Sequence, residues 1–161
     1  MSTDMTVPCG DGFVNLRVGA ILLKDDRFLM AGNRRVDYLY SVGGRIRFGE
    51  TAEEAVVREV EEETGWRLEV DRLGFVHENC FYGDLPGVNL GKLIYEVSFY
   101  FYMKVPADFE PVCASVTDDG SGEYLAWAAP DDPRTLYPAF FRELPGLPKA
   151  GVRHIVTDER R

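Results

Sequence analysis

The sequence predicts a mixed α and β fold, and three observations lead there. Residues 93–103 (LIYEVSFYFYM) alternate side chains with period two, as a half-buried strand does. Residues 52–64 carry a helix-capping pattern at their start and a glycine at their end. Shorter strand-like runs lie on both sides of that one long helix. With 161 residues and no linker or repeat, the chain is expected to form a single domain over 1–161, its first 12 residues short and flexible.

In chain order, residues 16–23 (LRVGAILL) read as a buried strand, largely apolar and bounded by turn-forming residues. Asp25 and Asp26 supply a tight turn into residues 27–31, which makes a hairpin. Residues 38–42 form a short strand that runs into Gly43 and Gly44, with residues 45–50 (RIRFGE) as the loop into the helix. Thr51 and Glu54 form a capping box, and Gly65 stops the helix. Residues 68–80 supply a strand that is irregular near Gly74. In 93–103, Leu93, Tyr95, Val97, Phe99, Phe101 and Met103 are expected to face the core, while Glu96, Ser98, Tyr100, Tyr102 and Lys104 face a polar cleft. A loop at 117–122 (TDDGSG) precedes a strand at 123–128, and residues 138–144 read as a short helix opened by proline.

The helix carries an anomaly. Seven glutamates fall within the fourteen residues from 50 to 63, and Arg58 is the only cation in the helix. Val56, Val57 and Val60 gather on one side and face the core. Glu59, Glu62 and Glu63 are neighbours on a different side, over the small side chain of Ala55. Carboxylates this close repel, and they occupy the half of the helix where the macrodipole also disfavours them. The arrangement makes sense if a hard cation such as Mg²⁺ is bound there.

The net charge of −9 argues against broad electrostatic binding to nucleic acid or to an anionic membrane. No apolar run approaches the ~18 residues of a membrane span. Cys9, Cys80 and Cys113 are scattered, which suits reduced thiols rather than a disulfide framework or zinc site. No secretory signal is visible, so a cytoplasmic location is expected.

The pattern Gly44-x5-Glu50-x7-Arg58-Glu59-Val60-x-Glu62-Glu63-x-Gly65-Trp66 resembles the complete signature of the Nudix hydrolases. One departure stands at Val42, where many family members have proline; it touches no proposed ligand. The resemblance implies an α/β/α sandwich with a mixed sheet and a loop-helix-loop motif. It implies a Mg²⁺-dependent hydrolase, with Mn²⁺ as a substitute, cleaving a diphosphate linkage in a small nucleoside diphosphate derivative. By the same resemblance, Glu59, Glu62 and Glu63 are the metal ligands with the Gly44 carbonyl beside them, and Glu50 pairs with Arg58 to tie loop to helix. Family members draw the general base from the motif helix or from a distant loop. Glu62 is the first candidate and Glu123 the outside one, ahead of Glu96 and Glu78. Arg17, Arg45 and Arg47 are candidate phosphate contacts, and Phe81, Tyr82, Tyr100 and Tyr102 candidate stacking residues. The family is often homodimeric, which a homodimer here would match.

Two other readings compete. A catalytically silent Nudix-like domain that senses nucleotides or binds protein would be expected to lack motif glutamates, and none is missing. An EF-hand loop or a Walker-type phosphate loop requires spacings that are absent.

Overall fold

The apolar run at 16–23 is a strand with both faces covered, which is why it shows no polar alternation. In the computed structural model, which describes residues 3–113 and 122–160, it belongs to β2 (Gly12–Ile21). Val18 and Ala20 point into one core cluster with Leu22, and Ile21 points into the other. The first cluster holds Ala55, Val56 and Val60 of α1 (Ala52–Thr64), and the second holds Phe141 and Leu144 of a 3-10 helix (Ala139–Gly146). Helical layers on both faces of one sheet make the expected α/β/α sandwich.

The remaining strands are β1 (Thr6–Cys9), β3 (Leu23–Lys24), β4 (Arg27–Asn33), β5 (Tyr38–Arg45), β6 (Val70–Tyr82), β7 (Leu93–Met103), β8 (Glu123–Ala128), β9 (Thr135–Tyr137) and β10 (Arg153–Asp158). The order is β10-β6-β7-β2-β5-β4-β3, with β1 added to β2, β8 to β4 and β9 to β5. Pairs β2–β7, β6–β10 and β5–β9 are parallel and the others antiparallel, so the sheet is mixed. The Asp25-Asp26 turn forms as expected, with both residues at positive φ (53° and 59°) between Lys24 and Arg27.

Several expectations need correction. The segment expected to be flexible over 1–12 contains β1, paired with β2 from Thr6 opposite Asn15 to Cys9 opposite Gly12. The strand expected over 38–42 is longer, because β5 continues to Arg45 and pairs Gly43 and Gly44 with Gly19 and Val18. Val56 and Val60 are fully buried as expected, and Val57 packs half-buried against the same cluster. On β7, Phe99, Phe101 and Met103 face the α1 side as expected, but Leu93 is exposed. Tyr100 and Tyr102 sit in the second core cluster instead of lining a cleft, which removes them as stacking residues. The helix layer on that face is the reason.

The irregularity at Gly74 is real: the β6–β7 register shifts between Leu73 and Phe75. A Cβ at Gly74 would lie 2.4 Å from the Tyr102 ring. The loop at 117–122 lies outside the described residues except for Gly122. No helix among the described residues is long and apolar enough to cross a membrane.

Candidate active site

Helix α1 begins where the capping box demands. Thr51 Oγ1 accepts from the Glu54 N–H at 3.2 Å, and Glu54 Oε2 accepts from the Thr51 N–H at 2.8 Å. Its end is set by Gly65 at φ 76°, whose N–H donates to the Glu61 carbonyl. With both ends fixed, the helix presents a graded series of carboxylates to β5. Glu62 is half exposed, Glu59 is mostly covered, and Glu63 is buried at 7 % exposure.

Two glycines let β5 come close to this series. A Cβ on Gly44 would lie 2.5 Å from Glu59 Cδ, so the strand faces the carboxylate with bare backbone. A Cβ on Gly43 would lie 2.1 Å from the Val18 carbonyl oxygen, so β2 and β5 could not pair as they do. The Gly43 N–H donates to Glu63 Oε1 at 3.2 Å. Glu63 Oε2 is buried without a hydrogen-bond partner. Burial pushes the Glu63 carboxyl up to about 9, and the charges of Glu123 and Glu59 push the same way. Burial also raises Glu59, despite its bond to Arg58.

Glu50 and Arg58 form the expected pair. Arg58 donates through Nε to Glu50 Oε1 at 2.6 Å and through NH2 to Glu50 Oε2 at 2.9 Å, a two-pronged contact. The guanidinium also donates to the Arg45 carbonyl at 3.1 Å, to Glu59 Oε1 at 2.7 Å and to Glu62 Oε2 at 3.4 Å. This bond with Arg58 holds the Glu50 carboxyl below its ordinary range, and Glu50 holds Arg58 above its own. One arginine therefore joins the loop, the end of β5 and two helix carboxylates. Arg58→Ala is expected to cost on the order of 3 kcal/mol, because it leaves the mostly covered Glu50 unpaired. A melting point lowered by roughly 5–10 °C, with reduced activity, is the expected result. Loss of activity at an unchanged melting temperature would instead give Arg58 a direct role in the chemistry.

Glu123, from β8, arrives at the same place from a different part of the chain. It is half-buried, accepts from Tyr40 Oη at 2.8 Å, and lies near enough to Glu63 to raise that group. It is therefore not the exposed strand-start residue that an isolated glutamate usually is. Residues 109–113, which follow β7, tie this strand to the helix end. Phe109 is wedged between the rings of Trp66 and Trp127, at 5.4 and 6.2 Å. Trp66 Nε1 donates to the Glu110 carbonyl, the Val112 N–H donates to the Thr64 carbonyl, and the Cys113 thiol donates to the Glu123 carbonyl.

The candidate phosphate arginines separate. Arg17 and Arg45 are directly opposed across β2 and β5, an unfavourable like-charge pairing unless an anion shares it. The charge of Arg17 is felt by both Glu59 and Glu63, in the direction that lowers them. Its Nε lies 3.9 Å from Glu96, which accepts from Asn15 Nδ2 at 3.0 Å. Arg45 and Arg47 lean toward Asp4, and Arg47 is also 3.7 Å from Glu62. Glu78 is engaged by Tyr95 and His154, and His77 is buried against Thr157 and Phe140.

The donors fit a hard divalent cation in three respects. They are all oxygen, one buried carboxylate oxygen lacks a partner, and the bare Gly44 backbone leaves space beside Glu59. As they stand, no three His, Cys, Asp or Glu side chains among the described residues are gathered ready to hold a metal. Arg58 donates to Glu59 Oε1, and the Gly43 N–H donates to Glu63 Oε1. A cation would compete for both oxygens. Tyr40 and the Gly43 N–H are polar partners of these glutamates that sequence reasoning missed. Nothing in the local pattern marks Tyr40, whose contact with Glu123 spans 83 residues.

Comparison with known proteins agrees with this geometry. A family model described as NUDIX domain matches residues 14–146. No curated protein matches the chain. Among solved structures, the chain is similar to a MutT NUDIX hydrolase from Burkholderia pseudomallei at 23 % identity and TM-score 0.57, covering 80 % of this chain and 95 % of that one. An ADP-ribose pyrophosphatase from Streptococcus suis is similar at 16 % identity and TM-score 0.56, over 87 % and 98 %. A MutT protein from Bacillus halodurans is similar at 16 % and 0.57, over 91 % and 93 %. At these identities the likeness is one of fold.

Proposed function

The chain belongs to the NUDIX family, and from that premise we propose that it is a Mg²⁺-dependent pyrophosphohydrolase of small nucleoside diphosphate derivatives. The observation that carries this reading is the carboxylate wall of Glu59 and Glu63 along bare Gly44 and Gly43, with one buried Glu63 oxygen lacking any protein partner. Such a wall is costly in a folded protein unless a cation completes it.

Glu59, Glu62, Glu63 and the Gly44 carbonyl would hold the cation. When bound, Mg²⁺ or Mn²⁺ would neutralise phosphate charge and draw electron density from the scissile linkage. The protein residues do the rest. Arg58, braced by Glu50 and the Arg45 carbonyl, fixes Glu59 and restrains Glu62 relative to the loop. Glu62, half exposed at the rim, receives the proton of the attacking water on its carboxylate. Arg17 meets a phosphate oxygen, and an anion between Arg17 and Arg45 would relieve their repulsion. Arg47, 3.7 Å from Glu62, supports the rim of the site.

The testing experiment is a screen of nucleoside diphosphate derivatives with Mg²⁺, read as phosphate released after coupling to a phosphatase. ADP-ribose, nucleotide sugars, dinucleoside polyphosphates and nucleoside triphosphates belong in it. The fold likeness to an ADP-ribose pyrophosphatase makes ADP-ribose the first compound to try. No release above a heat-inactivated control from any of them would overturn the reading. On the substrate found, Arg17→Ala is expected to raise KM by about tenfold or more with kcat less affected, as loss of a charge-assisted phosphate contact would. An unchanged KM would remove Arg17 from the binding surface.

A further inference from the structure

We propose that β10 is a docking edge for a second copy of this chain, whose own β10 pairs with it antiparallel about a two-fold axis through Val156.

Strand β10 ends the strand order, and no strand lies beyond it among the described residues. It runs parallel to β6, with Asp158 opposite Cys80. The Glu159 N–H donates to the Cys80 carbonyl at 2.8 Å. That bond sets the phase of the ladder, because the backbone groups of alternate residues point to the same neighbour. Arg153, Ile155, Thr157 and Glu159 therefore turn their backbone groups toward β6, and His154, Val156 and Asp158 turn theirs outward. An outward row of N–H and C=O groups is a template for another strand.

Side chains divide in the same way across the sheet. Ile155 packs against the second core cluster, and Thr157 Oγ1 meets His77 Nε2 at 2.9 Å on that face. His154, Val156 and Asp158 lie on the opposite face, where Val156 is 59 % exposed. An apolar side chain in the middle of an open edge invites cover.

Charge decides the occupant and its register. A two-fold axis perpendicular to the sheet keeps each face continuous only if it passes through a residue position, since a one-residue slip exchanges the faces. Placed at Val156, the axis sets Val156 beside its own copy and Ile155 opposite the partner's Thr157. It also sets Arg153 opposite the partner's Glu159, twice, with both side chains on the face of Ile155. Opposite charges directly across a pair of strands attract. Moved to Ile155, the axis would set Arg153 against Thr157; moved to Thr157, it would set His154 against Arg160. Neither neighbouring register pairs opposite charges. Arg153 and Glu159 are both exposed, and neither has an ion-pair partner among the described residues. His154 and Asp158, by contrast, are engaged by Glu78 and Arg160 of their own chain. Charges on an edge ordinarily keep other strands away. Here their order makes the edge complementary to itself.

The test is molecular mass by sedimentation equilibrium over a range of chain concentrations, without substrate or cation. The wild-type chain is expected to show a monomer–dimer equilibrium. Arg153→Glu should raise the dimer Kd by about tenfold, because two attractive cross-strand pairs become repulsive. Combining Arg153→Glu with Glu159→Arg restores the pair in reverse and should return Kd to within about threefold of wild type. Val156→Pro removes the central outward N–H and spares the bonds to β6, which use Ile155 and Thr157, so it should abolish the dimer. If that variant fails to fold, the exchanged charge pair still decides. A wild-type chain that stays monomeric at every concentration overturns the proposal, and so does an open series of growing oligomers. A dimer indifferent to Arg153→Glu, or one that the exchanged pair does not restore, overturns it as well. Turnover enters none of these measurements, so their outcome is independent of the hydrolase reading.

Discussion

Glu62→Gln is expected to lower kcat by at least ~10³ while leaving the fold intact. The substitution keeps size and hydrogen-bonding capacity but removes the charge that would attract a cation and accept a proton. Glu62 is half exposed and its closest cation, Arg58, stands 3.4 Å away, so the change should cost little stability. Glu123→Gln should lower kcat by less, about tenfold to a hundredfold, because it shapes the site from the side opposite the helix. Both variants need saturating substrate and saturating Mg²⁺, so that weakened cation binding is not read as lost proton transfer. A larger fall for Glu123→Gln than for Glu62→Gln would transfer the role of base to the strand glutamate.

Removal of divalent cations with EDTA is expected to abolish turnover, and millimolar Mg²⁺ or Mn²⁺ to restore it. The same cations should raise the melting temperature, since a ligand at one hundred times its Kd stabilises the folded state by about 2.7 kcal/mol. Glu63 is the reason to expect a thermal effect. Its buried, partnerless oxygen and its raised carboxyl mark a cost that a bound cation would relieve. Hydrolysis undiminished in chelator-treated buffer would sink the mechanism. A melting temperature indifferent to both cations would show that the carboxylates bind none.

Helix α1 was legible to the residue because its signals are local: Thr51, Glu54 and Gly65 act within a turn of where they stand. The Glu50–Arg58 pair was legible through the family resemblance, but its two-pronged geometry was not. Strand β7 was also plain, since alternation over eleven residues leaves little choice of element. What covers its second face was not, because the 3-10 helix that buries Tyr100 lies some forty residues further on. The strand over 38–42 was expected to end before Gly43 and Gly44 because glycine disfavours strands in isolation. Its continuation depends on β2 and α1 each approaching through the space a side chain would fill, β2 at Gly43 and α1 at Gly44. Strands β1, β9 and β10 escaped for a similar reason. They are short or lie at sheet edges, and pairing rather than local pattern defines them. The three helix glutamates read as one face in projection, yet they differ widely in burial, since Glu59 and Glu63 meet β5 at Gly44 and Gly43 while Glu62 stays half exposed.

The segment 109–113 gives the site a dimensional standard of its own. It grips the helix end through Trp66 and the Thr64 carbonyl, and it grips Glu123 through Cys113, all within a few residues. The span from the helix carboxylates to the strand carboxylate is therefore gauged by this short path as well as by the long route around the sheet. Breathing of the sheet twist is shared among many strands, whereas the gauge length is not. Loosening this path is therefore expected to shift the spacing of the carboxylates before it costs the fold itself.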